Sequence, residues 1–379
     1  MWLVSDVIER LTNILQLPRL ERPEYVYPDV SSSNSDRLNF FANLGLCVPS
    51  MRDHMTDEGW QLFDGLAYHR KNGYILHGYG LPTIPDSMKV DEIISFYRDR
   101  NVRIDSVVLQ DKREWDIPPG RRSFREKQSK WYNVDTLKKH KDIFKLTVLK
   151  DSHQQPNYHR DSAEEIDCHC WIIYYHPRIV SHLASYLRPE DCIRVYHSLN
   201  PYHVPSFNFK REGCIISGAV SDAYPLRKRL FRDTASLYKT TAYTHPGYHR
   251  NGCETPDYLK LLSRYKVAIC TASRYGYALR KIIEATAVGC KVLTDLPHDD
   301  TMPEIDENLY RIHPETTTRE ISLIIKDLCN TYEPSRQMLL AQRAINYYNY
   351  QTSGDRLATD INRVRLSYNV TSKALSETY

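Results

Sequence analysis

The chain has 379 residues, 41% of them hydrophobic and 26% charged, and its 51 Lys+Arg against 47 Asp+Glu leave a net charge of +4. This composition excludes collagen-like, low-complexity and wholly disordered chains, and the length predicts two domains or one large one. Apolar runs such as 171–174 and 267–270 fall far short of the roughly 20 residues that span a bilayer.

Residues 2–16 read as an amphipathic helix (Trp2, Leu3, Val4, Ile8, Leu11, Ile14, Leu15), followed by a Pro- and Ser-containing linker over 18–36. Asp6, Glu9 and Arg10 interrupt the apolar start and no basic leader precedes it, so no signal peptide is read and a cytoplasmic location is expected. Strands are then predicted at 38–48, 73–81, 105–111, 144–151, 170–176 and 192–198, with helices at 57–71, 90–99 and 178–187. The pattern restarts with strands at 214–219, 240–246, 266–273, 290–297 and 308–314. Helices fall at 256–265, 274–289, 317–329 and 334–347, and a last polar helix at 353–366. Gly289 suits the left-handed position after a helix end.

Short apolar strands alternating with helices predict an α/β class with parallel sheets covered on both faces, and two rounds predict two Rossmann-like domains. The expected division is an N-terminal helix and linker (1–36), a first domain (37–205), a second domain (206–350) and a C-terminal helix and tail (351–379). In open α/β sheets ligands bind beyond the carboxyl ends of the strands, so a cleft between the two domains is the expected site.

The stretch 263–297, SRYKVAICTASRYGYALRKIIEATAVGCKVLTDLP, reads as strand, loop, helix, glycine turn and strand. Its loop, including Arg274, Tyr275 and Gly276, lies where a strand's carboxyl end meets a helix start, and exposed amides and the helix dipole favour an anion there. Arg280 and Lys281 follow in the first turns, and Glu284 comes four residues after Arg280 in an apolar setting. Phosphates suit the amides and cations, and ribose hydroxyls suit the carboxylate. A plain surface ion pair between Arg280 and Glu284 is the alternative.

The segment YALRKIIEATAVGCKVLTDLP resembles the nucleotide-binding signature of family-1-like glycosyltransferases with the GT-B fold, and within them the CgeB-like branch, which carries Arg or Lys shortly before the Glu. SGAVSDAYPLRKRL (217–230) resembles the first strand-loop-helix of their sugar-nucleotide domain. The resemblance implies two Rossmann-like domains facing across a cleft, with the C-terminal helix crossing back to the first. It implies a hexosyl- or pentosyltransferase using a nucleoside-diphosphate sugar, UDP-sugar first, as co-substrate, with no other cofactor and no metal. By position it implies Glu284 on the donor ribose, Arg280, Lys281 and Arg227 on the diphosphate, Ser217 and Gly218 at the close backbone approach, and 243–248 with His245 near the base. Retaining members often carry two glutamates eight positions apart, and here Gly276 stands at the first.

Transfer needs stabilisation of the leaving diphosphate, a positioned acceptor hydroxyl and, for inversion, a base within reach of it. Candidate bases at strand ends of the first half are Asp111, Asp151 and His153, with Asp53 and His54 in an earlier loop. Each is equally suited to capping the next helix. The acceptor is expected to be a glycan or small molecule. Residues 112–150 hold twelve Lys/Arg against five acids, +7 in all, with Trp115, Trp131 and Tyr132 interleaved. That patch, with Arg121, Arg122, Arg125 and Lys127, motivates a second acceptor class, hydroxymethylated pyrimidines in viral duplex DNA. A non-catalytic nucleotide-sugar-binding module and an epimerase on the same fold are further alternatives.

Nine cysteines, an odd number in a chain that needs no staples, predict reduced thiols. Cys168-His169-Cys170 has no second pair at zinc-site spacing, so buried strand cysteines are expected. His197 and His203 are expected at the domain junction. Asn369-Val370-Thr371 matches a glycosylation sequon that matters only on secretion.

Overall fold

Parallel strands, several of them buried on both faces, form the frame. The computed structural model describes residues 43–48, 65–66, 73–76, 89–110, 134–149, 160, 163–164, 166–176, 188–244 and 255–376. The predicted N-terminal helix, most of the helix at 57–71 and the helix at 178–187 lie outside them. The first sheet comprises β1 (Asn43–Val48), β2 (Tyr74–Leu76), β3 (Arg103–Gln110), β4 (Phe144–Leu149), β5 (Cys170–Ile173) and β6 (Cys192–Arg194). All are parallel, in the order β2-β1-β3-β4-β5-β6. The second sheet comprises β7 (Cys214–Gly218), β8 (Thr240–Thr244), β9 (Val267–Ile269), β10 (Lys291–Thr294) and β11 (Leu309–Arg311), again parallel, in the order β11-β10-β9-β7-β8.

Alternation along each strand sends neighbouring side chains to opposite faces, and each face finds its own helices. On the first sheet α1 (Val90–Arg98) packs Val90, Ile93, Ile94 and Tyr97 with Val107 and Leu109 of β3. The opposite face, with Val108, Leu146, Val148 and Ile172, takes Leu357, Ala358 and Ile361 of the C-terminal helix. On the second sheet Cys214, Ile216, Ile269 and Leu293 meet α2 (Pro225–Arg232) and α5 (Thr318–Asn330). Ile215, Ala268 and Val292 meet α3 (Thr255–Leu262), α4 (Arg280–Ala287) and α6 (Pro334–Tyr348).

The C-terminal helix α7 (Tyr350–Ser376) follows α6 after one residue and leaves the second lobe for the first. Its course is fixed by a close backbone crossing: a side chain at Gly354 would collide with Gly65, and one at Gly65 with the Tyr350 carbonyl. Leu199 brackets the turn, donating its N–H to Tyr348 O at 2.9 Å and accepting from Tyr350 N at 3.0 Å. Arg365 on α7 then pairs with buried Asp105 of β3. The helix therefore begins before the predicted 353 and runs beyond 366, where Tyr368 meets Phe144 of β4 and His169.

Three predicted boundaries change, all next to residues that contact the other lobe. β9 ends at Ile269 rather than 273, and β6 at Arg194 rather than 198. The helix predicted from 274 starts at Arg280. Before it, Ser273 Oγ accepts from Tyr275 N at 3.2 Å, Gly276 N donates to Ser273 O at 2.8 Å, and Gly276 turns with a φ of 59°. Gly289 closes α4 with a φ of 88°. No described helix is long and apolar enough to cross a membrane.

Candidate functional site

The order of the second sheet puts β8 on one side of β7 and β9 on the other, so the connections leaving β7 and β9 part and open a crevice at their carboxyl ends. Gly218 ends β7 there, with a φ of 127°. A Cβ on it would fall on Lys281 Nζ and lie 2.7 Å from Arg227 Nη1, so two cations close on a backbone position that only glycine leaves open.

Lys281 and Arg280 are the first two residues of α4, whose first turn holds no acid. Cations at the positive end of a helix oppose its dipole by about 0.3–1 kcal/mol each. Local preference is violated where α4 meets the crevice, as happens at functional or strained positions. The helix is held from its other end. Arg211, buried and stacked on Phe207, donates to Val288 O and, at 3.1 Å, to Tyr265 O. Tyr332 donates to Gly289 O at 2.8 Å, and Asn308 Nδ2 to Thr286 Oγ1 at 3.0 Å.

Arg280 and Glu284 do form the i,i+4 pair, 3.0 Å apart, but it is no surface pair: their side chains are 10% and 7% exposed. Arg227 is 2% exposed and spends its donors inward, from Nε to Thr271 Oγ1 (3.1 Å), from Nη2 to Thr271 O (3.2 Å) and from Nη1 to Ala219 O (3.2 Å). Its guanidinium also lies 4.0 Å from the Tyr224 ring centroid, and burial lowers its pKa. Arg227 thus ties the end of β7 to the loop after β9, acting as a buttress beneath Gly218.

Two contributors were not singled out from sequence. Asp295, directly after β10, accepts from Ala272 N at 2.6 Å and pins the same loop, and burial raises its carboxyl pKa. Its signal was the acid ending the strand in Lys291-Val292-Leu293-Thr294-Asp295. Tyr258 on α3 reaches Ser217 Oγ at 2.6 Å and holds its ring 5.6 Å from Lys281 Nζ. Nothing in its local sequence separates it from an ordinary helix tyrosine.

The loop before α4 touches the first lobe. Tyr277 lies 4.3 Å from the Tyr175 ring beyond β5 and 6.4 Å from His197, which stacks on Tyr174 at 4.6 Å. Tyr275 and Tyr277 pack against the cluster of Leu149, Trp171 and Ile173, and exposed Arg274 stacks on Tyr275. A second contact between lobes joins Arg194 of β6 to Asp300, whose side chain is wholly buried, and Tyr196 donates to Thr301 O at 3.2 Å. The carboxyl ends of β5 and of β7 and β9 thereby flank one cleft. His203 Nε2 lies 3.3 Å from Asn200 Nδ2.

The structure thus brings together Ser217, Gly218, Arg227, Arg280, Lys281 and Glu284, with Arg274, Tyr275 and Gly276 forming the adjoining turn. β3 and β4 end at Gln110 and Leu149. Asp53, His54, Asp111, Asp151, His153, Arg121, Arg122, Arg125, Lys127 and His245 lie outside the described residues. Cys170 is buried in β5, and Cys168 directs its thiol to Thr147 Oγ1 at 3.5 Å and to the Cys170 carbonyl. Among the described residues no three His, Cys, Asp or Glu side chains gather as a metal site would require.

No protein-family model matches the chain, and no curated protein sequence is significantly similar to it. Solved structures are similar in fold at low identity. HepE from Anabaena in complex with UDP has 9% identity and a TM-score of 0.51, over 84% of this chain and 100% of that one. The same protein in complex with UDP-glucose gives 9% and 0.50 over the same shares. Sucrose-phosphate synthase from Thermosynechococcus elongatus gives 10% and 0.53, over 86% and 100%. Two parallel, Rossmann-like domains across a cleft, with a C-terminal helix returning to the first, make this chain a GT-B fold.

Proposed function

We propose that the chain is a glycosyltransferase of the GT-B superfamily that moves a sugar from a nucleoside-diphosphate sugar to a hydroxyl acceptor. The observation that carries this reading is the convergence of Lys281 and Arg227 on Gly218 at the divergence point of the second sheet, a turn away from the buried Arg280–Glu284 pair. In this reading the diphosphate meets the amino end of α4 and Lys281, Arg280 flanks it, Arg227 braces the loop from beneath, and Glu284 takes the ribose hydroxyls. A uridine donor is supported by the fold neighbours bound to UDP and UDP-glucose. The Arg-x-x-x-Glu spacing supports the CgeB-like branch.

Chemically, the cations and helix amides stabilise charge as it builds on the departing diphosphate. The acceptor enters from the first domain, 37–205, as a glycan or small molecule. Asp111, Asp151 or His153, each just past a first-sheet strand, supplies the base. The test is release of UDP from UDP-glucose, by hydrolysis or transfer. Wild type turns over and Glu284→Ala does not, while both melt as folded proteins. Gly276 at the place of a first glutamate favours one second reading, a binding module. Tight UDP binding without turnover against a broad acceptor panel would select it.

A further inference from the structure

Tyr258 meets two separate parts of the cation site from α3. Its hydroxyl is 2.6 Å from Ser217 Oγ, the side chain immediately before Gly218. Its ring centroid is 5.6 Å from Lys281 Nζ, within the roughly 6 Å over which an aromatic face attracts an ammonium. The same ammonium occupies the space that a side chain at 218 would fill. Lys281 is therefore bounded on one side by a ring and on another by a bare backbone. Burial raises the Tyr258 pKa well above its ordinary value, so the phenol stays neutral and brings no charge to compete with an anion.

A lysine carries more rotamer entropy than almost any other side chain, and a ligand that must order it binds more weakly. An ammonium already parked at the end of β7 removes that cost. We propose that Tyr258 is a positioning residue of the nucleotide site: its ring holds the Lys281 ammonium over Gly218. This inference rests on the reading of the crevice as a nucleoside-diphosphate site.

The experiment is calorimetric titration of the full chain with UDP, for wild type, Tyr258→Phe and Tyr258→Leu, each alone and combined with Lys281→Met. Phe keeps the aromatic face, so affinity stays within about twofold of wild type, whereas Leu loses it and weakens UDP by about two- to thirtyfold. With Lys281→Met there is no ammonium to hold, and the difference between Phe and Leu disappears, which a merely structural role would not produce. Tyr258→Met replaces Leu if that variant does not fold, as melting without UDP reports. Absence of UDP binding by wild type overturns the site reading and this role together. Equal affinities for Phe and Leu in a UDP-binding protein, or a difference that persists with Lys281→Met, overturn the role of Tyr258 alone.

Discussion

Gly218→Ala is the sharpest single perturbation of the crevice. The backbone there has a φ of 127°, a region that costs a residue with a side chain about 1–3 kcal/mol. The added methyl would also fall on Lys281 Nζ, which can swing away, and 2.7 Å from Arg227 Nη1, which cannot. Arg227 is 2% exposed and bonded to Thr271 and Ala219, so yielding breaks a charge-assisted hydrogen bond worth about 1.5–3 kcal/mol. Strain and displacement together cost about 2.5–6 kcal/mol, which for a lobe of this size lowers Tm by about 5–24 °C. Because the methyl occupies the phosphate approach, UDP binding is lost as well. Thermal melting with and without UDP reads both effects. A variant that melts within about 2 °C of wild type and is stabilised equally by UDP would refute the reasoning.

Other predictions address the frame and the acceptor side. Asp300→Ala leaves Arg194 facing a buried void and lowers stability by about 3 kcal/mol, whereas the double variant Arg194→Met/Asp300→Leu recovers part of it, as a denaturation cycle measures. Arg211→Met frees the Val288 and Tyr265 carbonyls it caps and costs about 2–4 kcal/mol, read by urea unfolding. Burial, with Lys145 nearby, lowers the His169 pKa to about 4, so on acidification the unfolded chain takes up the proton first and stability falls between about pH 6.5 and pH 4. His169→Gln lacks that proton, and its Tm loses less than that of wild type over the same range. If the +7 stretch 112–150 meets DNA, duplex affinity falls steeply with salt and falls again with Arg121, Arg122 and Arg125 neutralised, whereas affinity indifferent to salt removes that acceptor.

The parallel sheets were legible because buried strands carry unbroken apolar runs, as in Cys170-Trp171-Ile172-Ile173 and Val267-Ala268-Ile269. The stretch 263–297 was legible as a candidate site because Arg280, Lys281 and Glu284 break the local preferences of a helix start. What could not be read depends on partners distant in sequence. Tyr275 and Tyr277 look like the first turn of a helix until the first lobe's Trp171 and Tyr175 are seen to claim them. Arg227 reads from sequence as a phosphate ligand, and only the structure shows that Thr271 and the Ala219 carbonyl take three of its five N–H donors. Tyr258 acquires meaning only through Ser217 and Lys281, each more than twenty residues away. Beyond 366 in α7, Tyr368 likewise meets partners distant in sequence, Phe144 and His169.

The central claim is that a nucleoside diphosphate docks at the amino end of α4 between the lobes. A crystal structure of the UDP complex tests it most directly. The account predicts phosphate oxygens within hydrogen-bonding distance of Lys281 Nζ and the first amides of α4, over Gly218, with the ribose toward Glu284. UDP bound elsewhere on the chain, with this crevice unchanged, would contradict it.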